Sequence, residues 1–335
     1  MTRPATSPPF SGLLQNFFLE RLINQRNVSP CTVAAYRDTF RILLQYLQEH
    51  HHKSAANVTL SDLDAPRILA FLDHLEAVRK NAIPSRNARL AALRSFLKYA
   101  AGHDPASLPV IQRVLAIPVK RYDRRVLGFL SREEVQAIME SPDPGTWSGQ
   151  RDRMLFHLLY NTGARVSEIV SLCIADVLLG HGATVRIQGK GRKERSVPLW
   201  KDTVAELKQW MRCIDRAPAS PLLPNASGKP LSRSGVEHRL KKAVRAAATR
   251  QPTLAKRAIS PHTFRHTTAM HMLQSGTDLS VIALWLGHES PATTHMYMVA
   301  DPVMKERALQ RLEPLPTKRF RYRPTDKLLQ FLEGL

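Results

Sequence analysis

The sequence predicts a mainly α-helical protein of two domains, the second of which carries a small β-hairpin. Its 335 residues exceed the usual size of a single domain, which is about 100–200 residues. Apolar side chains recur at helical spacing behind residues that cap helix N-termini, and one pair of segments alternates like two neighbouring strands. A basic stretch with several prolines separates the two patterned regions and predicts a linker.

The charge balance indicates the class of partner. Lysine and arginine number 49 and acidic residues 28, so the formal net charge is +21. Such an excess favours a polyanion, either a nucleic acid or an anionic membrane surface. No run of 18 apolar residues occurs, so we expect no transmembrane helix. Residues 1–10 lack the apolar core of a signal peptide and are predicted to be a disordered tail.

Cysteine usage indicates the compartment. The three cysteines, Cys31, Cys173 and Cys213, are far apart and odd in number. They suit a reducing compartment, and neither a disulfide framework nor a metal site. We therefore expect a cytoplasmic protein without a metal or another cofactor. The phosphate-binding pattern Gly-x-x-x-x-Gly-Lys-Ser/Thr does not occur, which argues against ATP-driven chemistry.

Residues 11–105 are predicted to form an N-terminal domain of four helices. The first helix runs from residue 13 to residue 25. The later helices start at capping residues or prolines, namely Ser29-Pro30, Asp64 with Pro66, and Pro84-Ser85. The fourth helix carries basic side chains spaced to lie largely off its apolar face: Arg86, Arg89, Arg94 and Lys98. A solvated helix surface and contact with nucleic acid explain these four residues equally well.

Residues 106–127 are predicted to be the basic linker, and the second domain is predicted to span residues 128–312. Ser131 and Glu134 form a capping box at its start. Segments 184–188 and 194–199 alternate apolar and polar residues around the turn-rich pentapeptide 189–193. This pattern predicts the β-hairpin, with helices before and after it.

Arg165 follows a predicted break between two helices. Gly163 tolerates the left-handed backbone that ends a helix, and Arg165 then lies at the N-terminus of the next one. A helix N-terminus favours anions, and an arginine fork can bind two oxygens of one phosphate. Taken alone, a surface arginine near a turn is the simpler interpretation.

His262 and Arg265 lie three residues apart on a helix that starts at Ser260-Pro261. A permanent cation beside a group that exchanges protons suits phosphoryl transfer. The spacing of His262 and His266 also fits zinc, but the glutamate of the usual helical zinc motif is absent, which disfavours a metal.

Tyr297 follows His288 by nine residues, on a predicted helix that starts at Ser290-Pro291. Gly287 ends the preceding helix. Taken alone, Tyr297 is explained equally well as an aromatic residue of the core.

Together these motifs resemble the tyrosine recombinases of the phage integrase family. Most of residues 128–312 matches closely and the N-terminal helices more loosely. The motifs occur in the family's order: Thr-Gly-Ala-Arg165-Val-Ser-Glu168, Gly-Lys190-Gly-Arg-Lys-Glu-Arg, His262-x-x-Arg265-His266, Leu-Gly-His288 and Tyr297.

The resemblance implies a role for each residue. Arg165 and Arg265 clamp the scissile phosphate. Lys190 is the general acid that protonates the leaving 5′ oxygen, and Glu168 supports the site. His262 assists proton transfer and His288 stabilises the transition state. Tyr297 attacks phosphorus and forms a 3′-phosphotyrosyl bond, in a reaction that needs neither a metal nor ATP.

The resemblance also implies a clamp of an N-terminal core-binding domain and a C-terminal catalytic domain around DNA. The implied partners are double-stranded DNA with paired inverted sites and further copies of the chain in a tetrameric synapse, with partner recombinases left open. The pathway passes through a Holliday junction. Integration or transposition of a mobile element and Xer-like resolution both remain open, and the setting would be the bacterial nucleoid.

Basic residues outside the motifs are predicted to bind DNA. Segment 239–257 holds seven of them and no acid, and is predicted to be a helix along a DNA groove. The residues that we expect to contact DNA here and on the hairpin are Arg192, Lys193, Arg239, Lys241, Lys242 and Arg245.

Residues 313–335 are predicted to be a C-terminal tail that docks on a neighbouring subunit. An extended basic strap precedes a short helix bearing Leu328, Leu329, Phe331 and Leu332. A helix below about 12–15 residues is marginal alone, so these side chains need a partner surface. The chain's own catalytic domain is the alternative surface.

Two other functions remain as alternatives. A type IB topoisomerase would use similar chemistry on one duplex, and relaxation at one site against strand exchange between two sites would separate the two enzymes. A catalytically silent DNA-binding regulator would be expected to have a degenerate site, whereas this one is complete.

Overall fold

The computed structural model describes residues 9–123, 128–180, 182–189, 193–288 and 331–334. The chain divides into two compact units, residues 1–125 and residues 126–335. Both are built mainly from α-helices, and the second holds a three-stranded sheet, so the predicted fold class is confirmed. Within the described ranges, no helix is both long and apolar enough to cross a bilayer.

The N-terminal unit forms the predicted helices around an aromatic core. Its helices are α1 (Phe10–Asn16, continued by a π-helical segment over Phe17–Gln25), α2 (Pro30–His51), α3 (Ala65–Ala77), α4 (Ile83–Ala101) and α5 (Leu108–Leu115). Ser29 and Asp64 cap α2 and α3 as predicted, because their side chains accept backbone N–H groups of the first turn. In the core, the Phe96 ring meets Phe17 and Phe40 edge-on at 5.5 and 5.2 Å.

The prediction of a linker from residue 106 onward is wrong for its first part. Pro105 begins a 3₁₀ turn and Pro109 lies in the first turn of α5, where proline is tolerated because that N–H needs no helical partner. Ile111, Val114 and Ile117 are buried in the core of the N-terminal unit. This unit therefore extends past residue 105, through α5.

The expectation that the basic residues of α4 lie off its apolar face is wrong for Arg86, which is 5 % exposed. Its Nε lies 3.3 Å from Oε1 of Glu76, on α3. Arg94 is half-buried and donates to the carbonyl oxygens of Leu115 and Ile117. Arg89 is also half-buried, whereas Lys98 is exposed. Arg86 and Arg94 therefore hold α4 to its neighbours within the unit.

The C-terminal unit has the predicted hairpin as part of a sheet. Its elements are α6 (Arg132–Glu140), α7 (Trp147–Thr162), α8 (Val166–Val170), β1 (Val177–Leu178), β2 (Thr184–Gln188), β3 (Glu194–Pro198), α9 (Lys201–Trp210), α10 (Arg233–Ala247), α11 (Pro261–Gln274) and α12 (Leu279–Leu286). The strands are antiparallel in the order β1-β2-β3, with Val185 opposite Val197. Strand β1 was not predicted, because two residues are too few to show alternation. The capping box of Ser131 and Glu134 is confirmed.

Candidate active site

Arg165 lies at the tight junction between α7 and α8, as the sequence predicts. Gly163 ends α7 with a left-handed backbone, φ 56°. A Cβ atom at Gly163 would overlap Cδ2 of Leu286, so this glycine also permits close contact with α12. Arg165 is the residue immediately before α8, and its side chain is 39 % exposed.

The carboxylate of Glu168 organises this junction. Its Oε2 accepts the backbone N–H of Arg165 at 2.9 Å, and its Oε1 accepts Nη1 of the same residue at 2.9 Å. Arg195, on β3, donates from Nη2 to Oε2 at 2.7 Å. Burial of Glu168 would raise its pKa, but the hydrogen bonds and charges of the two arginines outweigh burial and lower the pKa. The carboxylate is therefore held in its charged form.

Arg265 connects two motifs that are distant in sequence. It lies on α11 and is only 3 % exposed. Its Nη1 donates to the carbonyl oxygen of Gly163 at 2.7 Å, and its Nη2 donates to that of Leu286 at 2.8 Å. Arg265 is therefore fixed between the Arg165 junction and the end of α12.

Two histidines share the positive field of these arginines. His262 is exposed at the start of α11, and His288 follows Gly287, which ends α12 with φ 65°. Loss of surrounding water, then the charges of Arg265 and Arg165, lower the pKa of His262. The same causes, with Arg195 and His262 in addition, lower the pKa of His288 to about 4. Both shifts favour the neutral form of the imidazole at pH 7.

The zinc alternative at His262 and His266 finds no support in burial. His266 is 2 % exposed and packs 6.4 Å from the Phe129 ring, whereas His262 is exposed. The two rings therefore lie in different environments. In the part of the chain that the structure describes, no group of three or more His, Cys, Asp or Glu side chains is arranged to hold a metal ion.

Three predicted residues lie outside the described residues: Lys190, Arg192 and Tyr297. The residues that flank the first two are described. The backbone N–H of Gly189 donates to the carbonyl oxygen of Lys193 at 2.7 Å, which closes the base of the hairpin turn, and Lys193 is exposed.

The basic segment 239–257 is only partly helical, because α10 ends at Ala247. Lys241, Lys242 and Arg245 are exposed on α10, while Nη1 of Arg239 lies 3.6 Å from Asp152. Arg257 donates to Glu134 at 2.6 Å and to the carbonyl oxygen of Phe129 at 2.7 Å. The prediction that one helix carries all seven basic residues is wrong, because Arg250, Lys256 and Arg257 follow the end of α10, and Arg257 makes contacts within the unit.

Sequence reasoning missed two residues that support the site. Asn161 is fully buried: its side chain joins the Pro198 carbonyl and the Trp200 N–H, and its backbone carbonyl accepts the indole N–H of Trp285. Arg195 shares the inward face of β3 with Val197 because side chains alternate along a strand. A cation at that position of the predicted hairpin was the available signal for Arg195.

Comparison with known proteins identifies the family. The model described as "Phage integrase family" matches residues 128–303, and "Phage integrase, N-terminal SAM-like domain" matches residues 16–103. The integrase/recombinase-type protein y4rC of Sinorhizobium fredii is 45 % identical over 335 residues, 100 % of both chains. Tyrosine recombinase XerD of Pseudomonas putida is 33 % identical over 87 % of this chain and 93 % of its own.

Solved structures agree with this fold. The XerH site-specific recombinase in a post-cleavage complex has a TM-score of 0.69, with 22 % identity over 85 % of this chain and 81 % of that chain. The Tn1549 transposon integrase has a TM-score of 0.69, with 14 % identity over 90 % and 99 %. The chain belongs to the phage integrase family. It is accordingly an enzyme of the tyrosine site-specific recombinase class.

Proposed function

We propose that this recombinase cuts and rejoins double-stranded DNA through a covalent 3′-phosphotyrosyl link to Tyr297. The observation that carries the proposal is the geometry of Arg265, whose guanidinium donates to the carbonyl oxygens of Gly163 and Leu286 and so brings the Arg165 junction and the residues just before His288 together. A phosphodiester transition state gathers negative charge on its non-bridging oxygens. Two fixed arginines stabilise that charge before and during the reaction.

Each chemical step of cleavage is assigned to a particular residue. The Tyr297 oxygen attacks phosphorus and its proton passes to His262, because a phenol with an ordinary pKa of about 10 needs an acceptor at neutral pH. The bond from phosphorus to the 5′ oxygen breaks, and Lys190 protonates that oxygen. His288 stabilises the negative charge on a non-bridging oxygen by donating a hydrogen bond to it, and Glu168 orients Arg165. Rejoining is the reverse attack by a 5′ hydroxyl, so the phosphodiester energy is kept and no ATP is used.

The proposed partners are DNA with paired inverted sites and a tetramer of this chain. The XerH structure holds a palindromic difH substrate, and a lambda integrase structure shows a tetramer bound to a Holliday junction. Relatives of both kinds, Xer recombinases and a transposon integrase, support either chromosome resolution or mobile-element integration. The setting that fits such a substrate is the bacterial cytoplasm, at the nucleoid.

The C-terminal residues are proposed to dock on a neighbouring subunit. Most of residues 313–335 lie outside the described ranges, but Phe331 and Leu332 are 62 % and 56 % exposed in the single chain, which supports the need for a partner surface. Deletion of residues 325–335 should keep binding to a single site and reduce cooperative binding and strand exchange. Unfolding of the monomer would favour docking on the chain's own domain.

The decisive experiment replaces the nucleophile. Tyr297→Phe should bind DNA normally and form no SDS-resistant protein–DNA adduct. Tyr160→Phe is the matched control, because the Tyr160 hydroxyl is hydrogen-bonded to His271 at 2.7 Å in the same unit and has no proposed role in cleavage. An adduct that persists in Tyr297→Phe would contradict the assignment of Tyr297 as the nucleophile.

A further inference from the structure

Arg195 is a charged residue on the inward face of a strand. It lies opposite Ile187 in the hairpin, and its side chain is only 12 % exposed. A cation in such a position must find partners for its donors, because an unpaired buried charge is strongly unfavourable. Its partners therefore indicate what the residue does.

The guanidinium of Arg195 contacts two other motifs of the site. Nη2 binds the carboxylate of Glu168 at 2.7 Å, and Nε donates to the carbonyl oxygen of Trp285 at 2.9 Å. Nη1 lies beside Gly287, where a Cβ atom would come within 2.9 Å of it. One side chain thus joins the hairpin to the Arg165 junction and to the residues just before His288.

Gly189, the last described residue before the hairpin turn, packs on this ion pair. An added Cβ atom at Gly189 would lie 3.5 Å from Nη1 of Arg195 and 3.5 Å from Oε1 of Glu168, which is van der Waals contact. Gly189 immediately precedes Lys190 and closes the base of the turn through its bond to Lys193. The backbone that leads into Lys190 therefore lies on the Arg195–Glu168 pair.

We propose that Arg195 is a positioning residue that holds the hairpin turn of Lys190 in place relative to the arginine clamp. The inference rests on the proposed function, in which Lys190 is the general acid. Because a proton donor must lie within hydrogen-bond reach of the leaving oxygen, a displaced turn slows protonation of that oxygen. A misplacement of about 1 Å is enough to cost on the order of 100-fold in rate.

The test compares two DNA substrates. Arg195→Ala should cleave ordinary DNA about 10- to 100-fold more slowly than wild type in single turnover. A substrate with sulfur at the 5′-bridging position has a leaving group that needs no proton. Arg195→Ala should cleave this substrate at close to the wild-type rate, a rescue that mere loss of structure would not produce.

Two further variants test whether slow cleavage by Arg195→Ala results only from a loss of folded structure. Arg195→Lys keeps a cation near Glu168 but lacks the planar fork needed to reach Trp285 as well. We expect near wild-type thermal stability, slow cleavage of ordinary DNA and rescue by sulfur. Arg186→Ala is the matched control on β2 of the same sheet, because Arg186 is exposed and pairs with Asp176 at 3.2 Å. It should cleave both substrates normally.

Lys190→Ala distinguishes failure of the positioning role of Arg195 from failure of the general-acid role of Lys190. If sulfur rescues Lys190→Ala but not Arg195→Ala, the positioning role is wrong while the proposed general acid stands. If sulfur does not rescue Lys190→Ala, the general-acid assignment fails, and the role of Arg195 fails with it. Unchanged cleavage of ordinary DNA by Arg195→Ala, or the full rate with Arg195→Lys, would also overturn the proposal.

Discussion

Arg265 donates a hydrogen bond of 2.7 Å to the carbonyl oxygen of Gly163, two residues before Arg165. A second bond runs to the carbonyl oxygen of Leu286, two residues before His288. The guanidinium is therefore oriented by backbone atoms of both neighbouring motifs. Such preorganisation means that little reorganisation is needed for Arg265 to bind the phosphate that we propose for this site.

The two arginines of the proposed phosphate clamp, Arg165 and Arg265, should differ in their effect on stability. Arg265→Ala leaves the Gly163 and Leu286 carbonyls without these donors, at about 1–3 kcal/mol for each unsatisfied group. Arg165→Ala should cost less, because its side chain is 39 % exposed and Glu168 retains Arg195. Urea unfolding measures the difference, and the SDS-resistant adduct should be lost in both variants. Equal unfolding free energies would contradict this account of Arg265.

His288 should make the fold sensitive to acid. Its pKa is about 4 in the folded chain, against an ordinary value of 6.5. As the pH falls below 6.5, the unfolded chain binds the proton first, so stability is lost between pH 6.5 and pH 4. Because the imidazole is only half-buried and water screens the arginine charges, the expected loss is about 1–2 kcal/mol.

The matched variant for this prediction is His288→Gln, which cannot titrate. Urea unfolding from about pH 7.5 down to pH 4 should show a smaller loss of stability in His288→Gln than in wild type. His157 and His271, whose pKa values are also lowered and which do not contribute to the shift of His288, remain in both proteins and cancel in the comparison. Parallel pH curves for the two proteins would show that His288 is not held neutral by its surroundings.

Local sequence signals correctly predicted structural features, such as helix ends and caps, that depend on residues nearby in the chain. Gly163 ends a helix and Ser131 caps one through contacts within a few residues, and both predictions are confirmed. Arg86 was placed wrongly because its partner, Glu76, lies on another helix. Helix α5 was missed because Pro109 signals a helix start as well as a break.

The same distinction between local and long-range contacts applies to the candidate site. Motif order alone predicted Arg165, Arg265 and the two histidines as site residues, because each motif is a short string. The role of Arg195 depends on Trp285, ninety residues further along, and the low pKa of His288 depends on charges from three other segments. No local sequence pattern indicates the proposed role of Arg195 or the low pKa of His288, so both could be recognised only from the folded structure.

The corrected boundary of the N-terminal unit predicts which fragment folds. A fragment of residues 9–123 should unfold cooperatively, whereas residues 9–105 lack α5 and the buried side chains of Ile111, Val114 and Ile117. Each buried aliphatic side chain contributes about 1.5–3 kcal/mol, so the shorter fragment should lose several kcal/mol. Thermal unfolding followed by circular dichroism tests this. Equal midpoints would mean that α5 is not part of the core.

The exposed basic residues of α10 should govern the salt dependence of DNA binding. Lys241, Lys242 and Arg245 are exposed on that helix and are proposed to contact phosphates. Each phosphate contact contributes about 0.9 to the slope of log affinity against log salt, because it releases condensed counterions. Replacing all three by Ala should therefore lower the slope by about 2.7. Titration of a duplex over a range of salt concentrations measures it.

A matched variant separates a contact surface from the net charge of +21. Lys201, Lys208 and Arg212 are equally basic and exposed on or just after α9, in the same unit. Replacing these three by Ala removes the same charge and should leave the slope almost unchanged, because counterions are released only where cations meet phosphates. An equal fall in slope for both triple variants would mean that net charge alone attracts the DNA. In that case α10 is not the surface that binds it.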